Sequence, residues 1–140
     1  DRGSILLDGA ELVGRKPRAL PDLEGGHALQ PRSWSPDGSM LAGALAFYTS
    51  PASVTMLYSF ASHKYVPLPE GRGWPAWMSD SRRLMVARYD GIAMLDTRSG
   101  QATPILGVSA QGISVSRDDR WLCYIENQSE ADVWLATLAR

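Results

Sequence analysis

Residues 34–41 read W-S-P-D-G-S-M-L, from Trp34 to Leu41, and this stretch decides the fold because it recurs twice further along the chain. The second copy is W-M-S-D-S-R-R-L, beginning at Trp77, and the third is V-S-R-D-D-R-W-L, beginning at Val115. The copies align without gaps at offsets of 43 and then 38 residues, and they agree in three columns. A period of this length indicates one repeated structural unit.

The first copy, taken alone, is also compatible with a helix. Ser35 could cap that helix, Pro36 could occupy its first position, and the run MLAGALAFY could continue it. The second copy argues against a helix, because MVARY, Asp90-Gly91 and IAMLD predict two strands joined by a two-residue hairpin turn. The repeated unit is therefore predicted to be a β-meander.

Each full unit divides into four strands, A to D. In the second unit these are expected at about 75–78, 83–89, 92–95 and 102–106. The B strands are apolar at successive positions, so both of their faces must be covered. Four-stranded blades of about 40–45 residues, stacked around an axis, provide that cover.

The chain is therefore predicted to be all-β, a single β-propeller segment over residues 1–140. Thirteen strands are expected, which make about three blades and leave the ring incomplete. The predicted units are a partial blade at about 4–20, blades at about 30–68 and 74–106, and a partial blade at about 111–138.

The repeated residues resemble the TolB-like or WD-repeat-like propeller family, whose hallmark is a W-S-P-D-G turn between strands A and B. The match at residues 34–38 is complete, the second copy keeps Trp77 and Asp80, and the third keeps Asp118. The ending SEADVWLATL is similar to the last blade of propellers fused behind bacterial receptor-type serine/threonine kinases. Family members include periplasmic TolB, kinase-linked sensors and the gating domains of prolyl oligopeptidase-like peptidases. The resemblance implies a propeller fold and a binding or regulatory role.

The repeated aspartates Asp37, Asp80 and Asp118 are the first candidates for a site. Three carboxylates at repeat spacing could indicate metal binding, but the repeat separates the three turns, and each local sequence lacks the further oxygen ligands that calcium needs. We therefore expect each aspartate to accept backbone hydrogen bonds within its own turn. The sequence predicts structural turns and no metal.

Catalytic and cofactor-binding motifs are absent from the sequence. The nearest string to a G-x-S-x-G nucleophile elbow, at residues 107–111, lacks the last glycine. His27 and His63 are the only histidines, and neither has zinc-ligand spacing with another histidine or with Cys123. No glycine-rich loop opens a helix to bind a nucleotide phosphate. The chain is predicted to have no enzymatic activity and no cofactor.

Composition narrows the possible partners. The formal net charge of −1 gives no electrostatic reason to expect nucleic acid, and no apolar run is long enough for a membrane helix. Cys123, in the apolar run WLCYI, is expected to be a buried structural thiol. The sequence is compatible with the periplasm, an extracytoplasmic sensor or the cytoplasm.

The tryptophans are mainly expected in the core. Trp34 and Trp77 occupy a repeat column and are predicted to pack, while Trp121 and Trp134 are predicted to lie in strands between blades. Trp74 is the exception, because it is predicted to lie in a connection between blades, flanked by glycine and proline.

In propellers the D-to-A and B-to-C connections share one rim, where binding sites commonly gather on loops held by a rigid frame. The chain is therefore predicted to be a protein-interaction scaffold that presents this rim to a protein or peptide. The alternative is a regulatory, sensor or gating propeller of a kinase or peptidase whose catalytic domain lies outside this chain. The partner-binding candidates on the rim are His27, Tyr48, Glu70, Arg72, Trp74, Asn127 and Glu130.

The number of strands also predicts association. Open end blades would leave apolar faces and strand edges in water. We therefore expect a homo-oligomer that closes the ring, or a segment that is completed by the remainder of a parent propeller.

Overall fold

The structure is a computed structural model that describes residues 5–6, 18–23, 27–45 and 54–126. Every regular element in these ranges is a β-strand. The strands are β1 (Ile5–Leu6), β2 (Arg18–Ala19), β3 (Leu29–Trp34), β4 (Met40–Leu45), β5 (Val54–Ser59), β6 (Lys64–Arg72), β7 (Trp74–Trp77), β8 (Arg83–Arg88), β9 (Gly91–Asp96), β10 (Ala102–Leu106), β11 (Ala110–Val115) and β12 (Leu122–Glu126).

The described strands form antiparallel sheets in which neighbours along the chain are neighbours in the sheet. β3 to β6 make one four-stranded sheet and β7 to β10 make another, while β1 pairs with β2 and β11 pairs with β12. The strands of the second full sheet begin and end within one residue of their predicted positions. The predicted all-β fold with four-stranded meanders and an unclosed ring is confirmed.

The core lies between successive sheets, and β8 shows how it is built. Leu84 and Val86 on one face of β8 pack in a cluster with Ala42 of the preceding sheet. The alternate residues Met85 and Ala87 pack in a second cluster against β11 and β12. Because a strand presents alternate residues to opposite faces, a strand between two sheets must be apolar on both. The unbroken apolar run of the B strand follows from this position.

The first strands of the last three sheets lie on the same side of the stack. β7 contacts both β3 and β11, which are the first strands of the neighbouring sheets. We call β3, β7 and β11 the inner strands. β6 and β10 end their sheets on the other side and are the outer strands.

Both outer strands are irregular. The pairing of β6 shifts register between Val54 and Thr55 of its partner, and the pairing of β10 shifts between Pro104 and Leu106. β6 contains Pro67, and Pro104 lies in β10. A proline in a strand has no N–H to donate to a further strand.

The hairpin between β8 and β9 differs from its prediction by one residue. Arg88 pairs with Gly91, so the two-residue loop is Tyr89-Asp90 rather than Asp90-Gly91. Gly91 begins β9 with a φ of 152°, and a Cβ there would lie 2.3 Å from the carbonyl oxygen of Leu106. The glycine is therefore required by the close approach of β10 as well as by the bend.

Two residues predicted to be buried are exposed. Trp121 precedes β12 and is 72% exposed, and Cys123 in β12 is also exposed. The neighbouring Leu122 and Tyr124 pack against the preceding sheet, so alternation directs Cys123 to the other face. The expectation of a buried thiol at Cys123 and a core role for Trp121 is wrong, and Trp134 lies outside the described residues.

The two tryptophans of the repeat column also differ from each other. Trp77 is buried in the cluster between the two full sheets, as predicted. Trp34 is 51% exposed and stacks on Phe60, with ring centroids 4.9 Å apart and planes within 5°.

Candidate functional site

The three turn aspartates accept hydrogen bonds within their own turns. Asp37 accepts from the Ser35 hydroxyl at 2.6 Å and from the Ser39 N–H at 3.0 Å. Asp118 likewise accepts from the Ser116 hydroxyl at 2.6 Å and from the Arg120 N–H at 3.3 Å. The hydroxyl donors, Ser35 and Ser116, contribute most to lowering the pKa of the two carboxyl groups.

Asp80 has a similar arrangement with a charged partner. Its carboxylate accepts from the backbone N–H groups of Arg82 at 3.0 Å and Arg83 at 2.9 Å, and from the Arg83 guanidinium at 2.6 Å. Bonding to an N–H two residues on is the pattern of an Asx-turn. Within the described ranges, no three His, Cys, Asp or Glu side chains come together to hold a metal ion.

The same turns are joined from one sheet to the next. The residue after each turn aspartate has a positive φ: 72° at Gly38, 52° at Ser81 and 57° at Asp119. The Ser81 hydroxyl accepts a hydrogen bond from the Asp37 N–H of the preceding turn at 3.0 Å. Asp119 accepts from both the N–H and the hydroxyl of Ser79, at 2.9 and 2.6 Å. This side of the fold is therefore stabilised by bonds between sheets.

The structure describes only part of the predicted rim. Tyr48, Asn127 and Glu130 lie outside the described residues. Glu70 and Arg72 belong to strand β6, not to the loop that was expected there, and their side chains lie outside the described part.

The two remaining rim candidates, His27 and Trp74, are half-buried. Trp74 is the first residue of β7, so the prediction that it lies in a connecting loop is wrong. The extended pairing explains the difference, because Trp74 pairs with Ala87 and Gly73 alone separates β6 from β7.

Trp74 has a partner that the sequence did not indicate. The guanidinium carbon of Arg32 lies 3.6 Å from the centroid of the Trp74 ring, which is a cation–π contact between two inner strands. Arg32 is exposed and also donates a hydrogen bond to the Gln30 side-chain oxygen at 3.3 Å. This pair is the candidate site.

A β-bulge explains how Arg32 reaches Trp74. The pairing of β3 with β4 shifts register between Pro31 and Ser33, so Arg32 is the extra residue. Such bulges re-aim a side chain. The partner strand has Gly43 opposite Pro31, where a Cβ would lie 2.2 Å from the carbonyl oxygen of Gln30. Gly43 therefore permits the close approach that the bulge requires.

The comparisons with solved structures identify the architecture. The chain is similar to a putative TolB from Agrobacterium tumefaciens, with a TM-score of 0.66, 16% identity, and coverage of 86% of this chain and 45% of that chain. It is similar to TolB from Acinetobacter baumannii, with a TM-score of 0.62, 14% identity, and coverage of 83% and 30%. The chain has the fold of a TolB-like β-propeller.

A third similar structure comes from a study of two prolyl endopeptidases, with a TM-score of 0.56, 18% identity, and coverage of 79% of this chain and 21% of that chain. The chain spans less than half the length of each of these three structures. No family model and no curated protein matches the chain. The part of the chain that the structure describes contains no helix that could cross a membrane.

Proposed function

We propose that this propeller segment is a non-enzymatic scaffold that binds a protein or peptide through the surface around Trp74. The observation that carries the proposal is the Arg32–Trp74 pair, in which an exposed arginine stacks on a half-buried tryptophan between two packed sheets. Tryptophan and arginine are the side chains most enriched in binding hot spots. A rigid frame also lowers the entropy lost on binding.

Peptide selection tests the proposal directly. A phage-displayed peptide library would be selected on the whole chain, and each selected peptide would then be measured against Trp74→Ala and Trp34→Ala. The second variant is a matched control, because Trp34 is also a partly exposed tryptophan but ends its strand beside the Asp37 turn. Peptides should lose affinity for Trp74→Ala and keep it for Trp34→Ala, at a temperature where both variants are still folded, since each ring also packs on its neighbours. Peptides that are indifferent to Trp74→Ala would contradict the proposal.

The alternative is a regulatory or gating propeller of an enzyme encoded elsewhere in the same gene. The similarity to a prolyl endopeptidase structure favours it. Because the match covers only 21% of that chain, a segment like this one can be a small part of a much longer enzyme. In this case a kinase or peptidase domain should lie beside the segment in the parent gene. Neither proposal assigns a reaction to the 140 residues themselves.

A second proposal concerns self-association of the chain. Met85 and Ala87 in β8 are covered by the next sheet, whereas the corresponding residues of β12, Cys123 and Ile125, are exposed. The repeat therefore supports coverage of this β12 face by a further propeller sheet. We assign that sheet to a second copy of the chain, and the remainder of a parent propeller is the competing source.

A further inference from the structure

Arg32 has no carboxylate partner among the described residues, whereas three arginines in or next to strand β8 do. Arg82 pairs with Asp96 at 2.5 Å, Arg83 with Asp80 at 2.6 Å and Arg88 with Asp90 at 2.5 Å. Arg32 instead contacts a neutral amide and an aromatic ring. Among the described residues, therefore, no carboxylate neutralises its positive charge.

The surroundings of Arg32 partly desolvate the guanidinium without compensating its charge. Desolvation by burial lowers the pKa of Arg32, and no described anion provides a compensating interaction that would raise it. Arginine stays charged despite such a shift. An anion arriving at this position would therefore supply the missing interaction.

The contact with Trp74 holds the guanidinium in place for such an anion. Within the described part of the chain, one of its five N–H donors is used, by the Gln30 side chain. A flat guanidinium stacked on an aromatic ring is limited to fewer orientations, and its remaining N–H edges match the two oxygens of a carboxylate. The β-bulge at Arg32 and Gly43 in β4 maintain this position through the backbone.

The neighbouring inner-strand positions are also neutral. Gln30 pairs with Ala44, Trp74 with Ala87 and Gln111 with Ile125, so these three side chains occupy the same row of successive sheets. Gln30 and Gln111 are exposed amides, which can donate to a carboxylate and do not repel it. The row and the adjacent bulge residue Arg32 together offer two amides and one cation to a ligand.

From this arrangement we propose that Arg32, stacked on Trp74, binds a carboxylate of the ligand and that the ligand is an acidic peptide segment. The inference rests on the proposed function, because it names the chemistry recognised at the same surface. A single guanidinium matches one carboxylate, whereas a polyanion such as nucleic acid would require several cations. The net charge of −1 adds no general attraction to anions.

The test uses a fluorescent oligoglutamate peptide and an uncharged oligoglutamine peptide of equal length, each titrated with the whole chain at low salt. Arg32→Gln should weaken oligoglutamate binding by about tenfold to a hundredfold, the range expected for losing a charged hydrogen-bonding group. Arg32→Lys should restore only part of the affinity, since it keeps the charge without the planar fork. Arg98→Gln is the matched control, because Arg98 is exposed in the turn after β9, and it should bind as the wild type does.

A second readout locates the contact. In nitrogen-15 spectra of the labelled chain, oligoglutamate should move the Arg32 Nε–H and Trp74 indole signals, both identified from the variants, and oligoglutamine should move neither. The inference is overturned if oligoglutamine binds as tightly as oligoglutamate or if Arg32→Gln leaves oligoglutamate binding unchanged. It is also overturned if Arg98→Gln weakens oligoglutamate binding as much as Arg32→Gln does. Selected peptides that require Trp74 but ignore Arg32 would overturn the carboxylate assignment while leaving the proposed function standing.

Discussion

Gly43, which has no side chain, helps to determine the direction of the Arg32 side chain on the neighbouring strand. A Cβ at this position would lie 2.2 Å from the Gln30 carbonyl oxygen and 2.8 Å from the Leu29 side chain. Gly43→Ala should therefore lower the free energy of unfolding by about 1–3 kcal/mol through overpacking. Gly107→Ala, where no atom lies within 4 Å of the added Cβ, should change it by less than about 0.5 kcal/mol.

Chemical denaturation of both alanine variants measures this difference. Gly43→Ala should also weaken oligoglutamate binding, since straightening the bulge would move Arg32 off Trp74. Equal stability of the two variants would show that β3 can shift without cost.

Asp37 tests the structural interpretation of the repeated aspartates. Asp37→Ala removes an acceptor from Ser35 and Ser39, so the melting temperature should fall. Calcium should change neither the wild type nor the variant, and Asp22→Ala, at an exposed position outside the strands, should melt normally. A calcium-dependent rise in melting temperature that disappears in Asp37→Ala would indicate a metal site. Thermal unfolding with and without calcium distinguishes the two.

At the scale of the element, strand positions were predictable from sequence because their signals are local. The apolar run of β8 and the turn chemistry on either side locate β7 to β10 to within one residue. The bulge at Arg32 was missed, because a register shift is a property of two paired strands and not of either sequence. The exposure of Cys123 and Trp121 was missed for a related reason, since it depends on which face a neighbouring sheet covers.

The turn after β9 should make stability depend on pH. The pKa of Asp96 is lowered from 3.8 to about 2. The largest cause is the hydrogen bond from the Arg82 side chain, and the backbone N–H groups of Arg98 and Ser99 contribute less. A depressed carboxyl pKa stabilises the fold at pH values above the unfolded-state pKa, and this contribution is lost as the pH falls through the folded-state pKa. The gap in melting temperature between the wild type and Asp96→Asn should therefore be largest above about pH 4 and close toward about pH 2.

Melting curves over that pH range check the expectation. Arg82→Gln, which removes the largest contribution to the shift, should reproduce part of the effect. A gap that stays constant with pH would mean that the Asp96 carboxyl has the same pKa in both states.

The bonds between turns predict how firmly β11 and β12 are held. In Asp119→Gly, the glycine adopts the positive φ of this position without strain, but both hydrogen bonds to Ser79 are lost. Amide exchange in β11 and β12 should therefore accelerate. Asp119→Asn keeps an acceptor and should exchange more slowly than the glycine variant. Identical exchange in the wild type and Asp119→Gly would show that apolar packing alone holds this sheet.

For the whole molecule, the exposed face of β12 predicts association. Ile125 is 63% exposed at a position whose counterpart in β8, Ala87, is fully buried. Ile125→Glu should shift the light-scattering mass of the chain from a dimer toward 15.3 kDa, because a charge there would have to be desolvated in the interface. Ile105→Glu, on outer strand β10, is the matched control and should leave the mass unchanged. A wild type that remains at 15.3 kDa over a wide concentration range would contradict self-association.

The irregular outer strands determine which larger assemblies this chain can enter. With Pro67 in β6, and with Pro104 and a register shift in β10, sideways addition of a foreign strand is disfavoured, so amyloid-like growth is suppressed along that perimeter. Contact through the exposed face of β12 remains open. A second copy that covered this face with a different sheet of its own would make a head-to-tail contact. Such head-to-tail contacts form a closed ring when the rotation per copy divides a full turn, and a filament when it does not. Small changes in the angle between blades would therefore decide between a finite particle and a polymer.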